Sequence, residues 1–399
     1  MTSSNAKREV VVVSGVRTPI GDYGGALKDL PATRLGAVAI KEAVSRAKVD
    51  PASIGHVVMG SVIHGEARDM YLSRVAAIDA GLPVGTPCLT VNRLCGSGLQ
   101  SIVSASQHIL LGDCDIAVAG GAESMSRAAY MLPSGRWGQR MGDAPVIDAM
   151  TAALHDPFGH GHMGVTAENI AAKYGFTREQ QDQFAVESHR RATKAIAEGR
   201  FKSQILPIEL KSKKGTVQFD TDEHPRGDAS MEGMAKLRAA FQKENGTVTA
   251  GNASGINDAA ACVVLMEKEA AKRAGVTPMA RLVAYGHAGI DPKIMGLGPV
   301  NAVKSALTKA GLKVGDLDVI ESNEAFAVQA MGVSQQLDLD PAKVNPNGGA
   351  VALGHPIGAT GAILTVKAMY ELHRTSKRYA LITMCIGGGQ GIAAIIERM

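Results

Sequence analysis

The sequence predicts an α/β layered fold built from two similar halves, with one further domain inserted into the first half. Three observations lead to this prediction: short strand-like runs alternate with helical segments, one stretch of the chain recurs at a fixed spacing, and the first copy carries a long additional segment. Of the 399 residues, 45% are hydrophobic and 46 are glycine, so the chain can bury a large core of small aliphatic side chains.

Strand-like and helical segments alternate along the first part of the chain. The β-branched run at residues 9–14 and the run His56–Gly60 are typical of short buried strands, whereas residues 34–48 and 98–111 have the apolar spacing of helices. Strands joined through helices usually pair in parallel. We therefore expect a mainly parallel sheet.

An internal repeat relates the two halves of the chain. Residues 37–58 align without gaps to residues 300–321, a shift of 263 positions. The same shift places Gly98, which begins one helix, on Gly361, which begins another. A gapless match over this length indicates two copies of one structural unit.

The first copy contains a long insertion. Its strand at residues 116–121 and its final strand at residues 259–267 are separated by about 140 residues, far more than an ordinary loop, whereas the second copy joins the equivalent strands almost directly. We expect a first half of residues 1–121 and 251–275, an inserted loop domain of residues 122–250, and a second half of residues 276–399.

Charge, cysteine content and hydropathy exclude several classes of protein. A formal net charge of +4 is too small to indicate nucleic-acid binding. Five cysteines without a C-x-x-C pair indicate free thiols in a reducing compartment. Because Met1–Glu9 has no apolar signal run and no apolar run is long enough for a membrane span, a soluble cytoplasmic protein is expected.

Cys95 is the strongest candidate nucleophile. It precedes a predicted helix in the sequence NRLCGSG, where the flanking glycines allow an exposed turn. The partial positive charge at the helix N-terminus is expected to lower the pKa of the thiol. The alternative interpretation is a small buried residue, as expected for Cys262 and Cys88.

Two further candidates lie in glycine-rich turns of the second half. His355, in GHPIGATG, is the counterpart of the Cys95 turn, so we expect the two side chains to converge as base and nucleophile. Cys385, in CIGGG, lies beside backbone N–H groups that can stabilise an oxyanion. Each also has a structural alternative, a histidine bonded to backbone and a close-packed turn.

Other polar segments are weaker indications of chemistry. Asn323 and Glu324 follow a strand, where capping of the next helix is the simpler interpretation. The histidines of residues 155–163 lack the spacing of known zinc sites, so no metal site is expected. A basic cluster in the inserted segment forms either a solvated face or a phosphate-binding surface, and its members are Arg226, Lys236, Arg238 and Lys243.

These motifs together resemble the thiolase family, and the resemblance covers the whole chain. NRLCGSG, GNASG, NEAFA, NGGxxxLGHPxGATG and CIGGGQG occur in this order at compatible spacing. The chain looks most similar to bacterial β-ketothiolases (acetyl-CoA C-acyltransferases) of the kind that feed polyhydroxyalkanoate synthesis. The resemblance implies two similar five-layered α/β/α/β/α halves with an inserted loop domain, and the repeat and insertion imply that layout independently.

The resemblance implies a role for each catalytic motif. Cys95 would be acylated, and His355 would take its proton and help to bind the thioester oxygen. Cys385 would be the acid/base that removes the acetyl α-proton in condensation or protonates the enolate in cleavage. Asn323 would hold a water that forms one oxyanion hole with His355, and the N–H groups of Cys95 and Gly387 would form the other.

Coenzyme A thioesters are the implied substrates, with no cofactor, metal, nucleic acid or membrane involved. The residues implied along the pantetheine and acyl end are His162, Met163, Ser254, Ala325 and Phe326, with Met295 at the acyl site and Arg226 near the nucleotide. The resemblance also implies a homo-oligomer, a dimer unit that the inserted loop near Arg127–Gly142 completes to a tetramer.

The implied reaction is the reversible Claisen condensation of acetyl-CoA with acetyl-CoA or another acyl-CoA, with ping-pong kinetics. Degradative cleavage of 3-ketoacyl-CoA in fatty-acid β-oxidation is the alternative. The second thiol, Cys385, disfavours a related ketosynthase-like enzyme, which would use histidine there. Intact Cys95, His355 and Cys385 disfavour an inactive acyl-CoA-binding protein. The motifs leave acyl chain length and direction open.

Overall fold

The computed structural model describes residues 8–212 and 215–399, so the first seven residues of the predicted first half lie outside it. The strands, in chain order, are β1 (Val10–Arg17), β2 (Gly21–Asp22), β3 (His56–Gly60), β4 (Cys88–Val91), β5 (Ile116–Ser124), β6 (Tyr130–Met131), β7 (Ile147–Asp148), β8 (Ile208–Ser212), β9 (Gly215–Phe219), β10 (Asn257–Glu267), β11 (Ala280–Gly289), β12 (Val319–Ser322), β13 (Tyr379–Ile386) and β14 (Gln390–Arg398). The helices are α1 (Ala32–Ala47), α2 (Leu72–Asp79), α3 (Ser97–Leu111), α4 (Ala149–Ala153), α5 (Met163–Tyr174), α6 (Arg178–Ala197), α7 (Met231–Ala235), α8 (Lys268–Arg273), α9 (Gly298–Ala310), α10 (Ala327–Leu337), α11 (Ala350–Leu353) and α12 (Thr360–Thr375). Over the described ranges, none of these helices is both long and apolar enough to cross a membrane.

The main sheet is mixed. Its strand order is β12-β13-β14-β11-β1-β10-β5-β3-β4, with β2 paired to β10. Six of the nine strand pairings described are antiparallel, so the prediction of a mainly parallel sheet is wrong. The helix-connected strands do pair in parallel, but β13 reaches β14 through a short glycine turn, and such a turn can join only antiparallel neighbours.

The sequence repeat is a structural repeat. The shift of 263 residues places the first residues of β3, α3 and β5 on the first residues of β12, α12 and β13. The order β3-β5-β10-β1 in one half matches β12-β13-β14-β11 in the other, and the halves join where β1 pairs with β11. The predicted fold of two similar α/β halves is confirmed.

Helices α3 and α12 form a central layer between the two halves of the sheet. Alternate residues of β10 contact opposite layers: Val263 and Leu265 pack with α3 and α12, whereas Cys262 and Val264 pack with α1 and α2. On the far side of the second half, α9 and α10 cover β13 and β14. The layers therefore alternate as helix, sheet, helix, sheet and helix.

The two central helices pack closest at glycines that the repeat relates. A Cβ atom added to Gly98 would lie 2.8 Å from the backbone nitrogen of Ala362, and one added to Gly361 would overlap the backbone of Leu99. Only glycine permits this approach of two helix backbones. The contact brings the N-terminal ends of α3 and α12 together, and with them the turns that carry Cys95 and His355.

Residues 125–256 run between β5 and β10 and contain α4–α7 and β6–β9. A fully buried ion pair holds this segment against the end of β1. The Arg17 guanidinium donates two hydrogen bonds to the Asp222 carboxylate, at 2.6 Å and 2.8 Å. Because the pair is bidentate, it fixes orientation as well as distance.

Candidate active site

Cys95 lies in the turn between β4 and α3, just before the helix begins. Local hydrogen bonds fix the turn: the Asn92 side chain accepts from the Leu94 N–H, and Ser97 Oγ accepts from the Arg93 N–H, each at 2.9 Å. Leu94 has a positive φ of 46°. This conformation costs a residue with a side chain roughly 1 to 2 kcal/mol. The turn is therefore held in a strained shape beside the candidate nucleophile, a common feature of functional sites.

The Cys95 thiol is a weak acid in this site. Burial raises its pKa to about 11, and the Glu123 carboxylate adds to the rise, although the N–H groups of Gly387 and of Cys95 itself oppose it. The prediction that the N-terminus of α3 lowers this pKa is therefore wrong. Loss of water around the sulfur outweighs a helix dipole worth about 1 kcal/mol. Cys95 rests as a thiol and needs a base to react.

His355 lies in the turn before α12 and is almost completely buried. Burial lowers the pKa of its imidazole to about 4, so the ring is neutral near pH 7 and can accept a proton. Its Nδ1 lies 2.7 Å from Thr360 Oγ1, and the Thr360 hydroxyl donates to the Pro356 carbonyl at 3.0 Å. Because that hydroxyl has a single proton, we assign the ring proton to Nδ1, which leaves Nε2 free to act as a base.

Asn323 follows the last residue of β12, and its side chain reaches the His355 ring. The amide Nδ2 lies 3.4 Å from His355 Nε2, and the buried Oδ1 has no hydrogen-bond partner within the part of the chain that the structure describes. The neighbouring Glu324 does not cap the following helix, so that interpretation is wrong. Its carboxylate instead accepts from Ser188 Oγ at 2.7 Å and from the Val351 N–H at 3.2 Å.

Cys385 lies near the end of β13 and is completely buried. Burial and the nearby Cys95 thiol both raise the pKa of Cys385 well above its usual range. The next residues form the turn into β14, in which Gly388–Gly389 have φ values of +80° and +87°. Gly387 packs closely under Met163, because an added Cβ would lie 3.1 Å from the Met163 Cε. The backbone N–H of Gly387 faces the Cys95 sulfur.

One cavity of about 590 Å³ is lined by nearly all the predicted site residues. Those that line it are Cys95, His162, Met163, Arg226, Ser254, Met295, Ala325, Phe326, His355, Cys385 and Gly387. Asn323 does not line it and reaches it through His355. Two thiols, a neutral imidazole and backbone N–H donors thus meet at one cavity, an arrangement that suits acyl transfer.

One wall of the cavity is built from two of the motifs. The Ser254 N–H donates to the Ala325 carbonyl at 3.0 Å, which joins GNASG to NEAFA. Nearby, the His162 ring stacks on Phe241 with centroids 4.6 Å apart, and its Nδ1 accepts from the Gly164 N–H at 3.0 Å. Burial lowers the pKa of His162 to about 4, so the neutral ring has its proton on Nε2, where it can donate to a ligand.

The more exposed end of the cavity, which we call the mouth, is polar. Asp22, His224 and Arg226 line it, and the backbone N–H of Arg226 donates to His189 Nδ1 at 3.1 Å. The rest of the predicted basic cluster does not line the cavity: Lys236, Arg238 and Lys243. Within this cluster, Arg226 alone contributes to the cavity lining.

Several residues of the site are not singled out by the sequence patterns. The apolar ones are Leu94, Met125, Leu154, Phe241, Ile256 and Ile357, which line the cavity and look like ordinary core residues in sequence. The polar ones are Thr360 and Asn257, which contact His355. Thr360 stands inside GATG, and Asn257 stands two residues after GNASG, so attention to polar residues flanking the motifs could have found both.

Comparison with protein families gives two matches that together span almost the whole chain. The family described as "Thiolase, N-terminal domain" matches residues 10–269, and "Thiolase, C-terminal domain" matches residues 276–398. The border between the two matches falls between the end of β10 and the start of β11, where the two structural halves also meet.

Individual proteins give the same picture. The chain is 65% identical over 392 residues to "Beta-ketothiolase BktB" of Cupriavidus necator, a match that covers 98% of this chain and 100% of that protein. The crystal structure of the Bacillus anthracis acetyl-CoA acetyltransferase superposes with a TM-score of 0.97 at 46% identity, covering 99% of this chain and 100% of the other. Human mitochondrial 3-ketoacyl-CoA thiolase in complex with CoA superposes with a TM-score of 0.95 at 44% identity, covering 98% of each chain.

Proposed function

This chain belongs to the thiolase family, and on that premise we propose that it is a β-ketothiolase that condenses acetyl-CoA with acetyl-CoA or another acyl-CoA to give a 3-ketoacyl-CoA and free coenzyme A. The observation that carries the proposal is the convergence of Cys95, His355 and Cys385 on one cavity. Such a reaction needs a nucleophile, a base and a second acid/base within reach of one acyl group.

The first half-reaction acylates Cys95. As the sulfur attacks the thioester carbonyl, its proton passes to Nε2 of His355, the unprotonated nitrogen of a neutral ring. Cys385 rests protonated because its pKa is raised, so it can protonate the departing coenzyme A thiolate. The products are acyl-Cys95, free coenzyme A, a protonated His355 and a Cys385 thiolate, and the proton count balances.

The second half-reaction forms the carbon–carbon bond. The Cys385 thiolate takes the α-proton of a second acetyl-CoA, and the enolate oxygen is stabilised by protonated His355 and a water on Asn323. The enolate carbon attacks acyl-Cys95, and the N–H groups of Cys95 and Gly387 stabilise the new oxyanion. Collapse expels the Cys95 thiolate, which recovers its proton from His355. Removal of one donor from an oxyanion hole of this kind raises the activation barrier by about 3 to 4 kcal/mol.

In the proposed complex, coenzyme A lies with its pantetheine along the wall that joins the two motifs and with its nucleotide at the mouth. Stacked His162 and buried Phe326 line the first part, and Arg226 lines the second. Met163, Ser254 and Ala325 complete the pantetheine contacts in this proposal, and Met295 lines the acyl end. The solved complex of a 44% identical relative with CoA supports a coenzyme A site in this fold.

We further propose that residues 122–250 act as an inserted loop domain that binds substrate and completes a tetramer built from dimers. Its exposed apolar side chains support the assembly, because Trp137 and Met141 are 89% and 94% exposed in the single chain. Large apolar side chains left this exposed in a single chain often become buried at an interaction surface. The free thiols of all five cysteines support a reducing, cytoplasmic location.

Steady-state kinetics test the proposed function. Cleavage of 3-ketoacyl-CoAs of increasing length by coenzyme A should give parallel double-reciprocal lines, the sign of a ping-pong mechanism, and kcat/KM across the series gives the acyl preference. Absence of turnover with every chain length, in a protein that retains its fold by circular dichroism, would refute the proposal.

A further inference from the structure

We propose that Asn257 is a positioning residue that holds the His355 turn, and that it depends for this on Asp22 and His224 at the mouth of the cavity. The proposal rests on the proposed function only in taking His355 as the base. The buried Asn257 amide would thus connect the His355 turn to Asp22 and His224, two residues that lie outside the sequence motifs.

The Asn257 amide uses both of its polar atoms. Oδ1 accepts from the backbone N–H of His355 at 3.0 Å, while Nδ2 donates to the Gly21 carbonyl at 3.1 Å and to Asp22 Oδ1 at 3.2 Å. Asn257 is completely buried at the start of β10, opposite Asp22 of β2. The Asn257 side chain of the first half therefore holds the His355 turn of the second half through a hydrogen bond.

Two glycines leave the space that this amide fills. Gly354, immediately before His355, has a φ of +102°, and an added Cβ would overlap the Asn257 side chain. On the other side, a Cβ added to Gly255 would lie 2.8 Å from Asn257 Oδ1 and 2.7 Å from His224 Cε1. The amide is thus packed closely between the His355 turn and the His224 ring.

Asp22 connects the Asn257 amide to the mouth of the cavity. Its Oδ1 also faces His224 Nδ1, and both side chains line the cavity. The His224 ring lies 6.3 Å from the ring of His189, which accepts from the backbone N–H of Arg226. The residues that would bind the nucleotide end are therefore connected by contacts to the turn that holds the base.

The pattern of donors and acceptors requires an amide at position 257. An ionised carboxylate there could still accept from His355 but would face the Asp22 carboxylate and the Gly21 carbonyl with no proton to donate. A protonated carboxyl would restore the pattern, because its carbonyl oxygen accepts and its O–H donates to Asp22. Asn257→Asp should therefore be damaged at high pH and repaired at low pH.

Other titratable groups surround this amide and are common to the parent enzyme and its variants. Glu223 accepts from the Asp22 N–H, and Asp258 accepts from Ser126 on the opposite face of β10. The titratable or charged groups near the amide or its partners include Asp22, His189, His224, Glu223, Arg226, Asp228, Asp258 and His355. Dividing the rate of each variant by that of the parent enzyme at each pH removes their contribution.

Asn252 provides a matched control in the same segment. It is completely buried, its Oδ1 accepts from the Thr249 N–H at 2.8 Å, and its Nδ2 donates to Asp182 Oδ1 at 2.8 Å. Asn252→Asp introduces the same carboxylate pair without touching His355. It should lose stability in the same way but leave the pH dependence of the chemistry unchanged.

The test is the rate of Cys95 acetylation by acetyl-CoA in a single turnover, measured from about pH 9 to about pH 6 for the intact enzyme and its variants. The acetylation rate of Asn257→Asp divided by that of the parent enzyme should rise at least tenfold as the pH falls. The rise should roughly follow the increase in the protonated fraction of the introduced carboxyl. The ratio for Asn252→Asp should stay flat.

A swapped pair keeps the proposal falsifiable if the single variant folds poorly. In Asp22→Asn/Asn257→Asp, the introduced amide at position 22 can donate to the introduced carboxylate. The acetylation rate should therefore recover toward that of the parent enzyme, and the ratio of the two rates should no longer change with pH. A flat ratio for Asn257→Asp, or a double variant no more active than the single one, overturns the proposal. Failure of the parent enzyme itself to acetylate at Cys95 would instead refute the proposed function.

Discussion

His355 Nδ1 lies 2.7 Å from the hydroxyl oxygen of Thr360, at the first residue of α12. Because the Thr360 hydroxyl donates its proton to the Pro356 carbonyl, its oxygen can only accept from the ring. The contact fixes both the orientation of the imidazole and the nitrogen that carries its proton. In the proposed mechanism, Nε2 is then the nitrogen that takes the proton of Cys95, which burial would otherwise keep on the sulfur.

Thr360→Val should reduce kcat/KM by about 10-fold to 100-fold, since loss of one buried hydrogen bond costs roughly 1 to 3 kcal/mol. Thr360→Ser keeps the hydroxyl and should retain most of the activity. Thr365→Val is the matched control, because Thr365 is a buried threonine of the same helix whose hydroxyl donates to the Gly361 carbonyl. Equal activity of Thr360→Val and Thr365→Val would remove Thr360 from the account.

The reaction of Cys95 with iodoacetamide should accelerate steadily with pH. Burial raises the pKa of Cys95 to about 11, so the thiolate fraction should rise about tenfold per pH unit between roughly pH 7 and pH 10. Peptide mapping gives the rate at Cys95, with Cys95→Ser as the blank. A rate that is already at its plateau near pH 7 would show that Cys95 rests as a thiolate paired with protonated His355.

Cys385→Ser should separate the two half-reactions. The hydroxyl is far less acidic than a thiol, so removal of the α-proton should slow by about 10³-fold, the usual range for loss of a general base. Acylation of Cys95 should continue at a reduced rate, because the nucleophile and His355 remain. Cys262→Ser, which alters a buried thiol outside the cavity, should keep near-parental activity. Equal loss in both half-reactions would contradict the separate role of Cys385.

Trp137→Ser/Met141→Ser should convert a tetramer into dimers without loss of the fold. Both side chains are almost fully exposed in the single chain, and their burial between subunits is the source of stability that we propose. Leu111→Ser, which changes another exposed apolar residue outside the inserted segment, serves as the control. Light scattering measures the mass of each protein, and a stable monomer for the parent chain would contradict the assembly.

The arrangement of the site follows from sequence wherever a local pattern determines geometry. The glycines at Gly98 and Gly361 are related by the repeat, and their close helix contact places the Cys95 and His355 turns side by side. The positive φ values at Gly388–Gly389 similarly require the glycine run after Cys385. At these positions the backbone conformation requires glycine, so the sequence motif is sufficient to predict the local geometry.

Features that depend on distant packing are not visible in the sequence. The pKa of Cys95 is set by how completely other segments exclude water from its sulfur, not by the helix that follows it, and so its predicted direction is wrong. Asn257 lies 98 residues from His355 in the chain, and only the fold brings the two together. One of the antiparallel pairings, β13 with β14, likewise results from the strand that returns after the Gly387–Gly389 turn.

Acetylation by acetyl-CoA tests most directly whether Cys95 is the residue that carries the acyl group. Parent enzyme mixed with acetyl-CoA, quenched in acid and weighed by intact-protein mass spectrometry should gain one acetyl group, which peptide mapping should place on Cys95. Cys385→Ser should gain the same group, and Cys95→Ala should gain none. Stoichiometric acetylation of Cys95→Ala under the same conditions would show that the acyl group is carried by another residue.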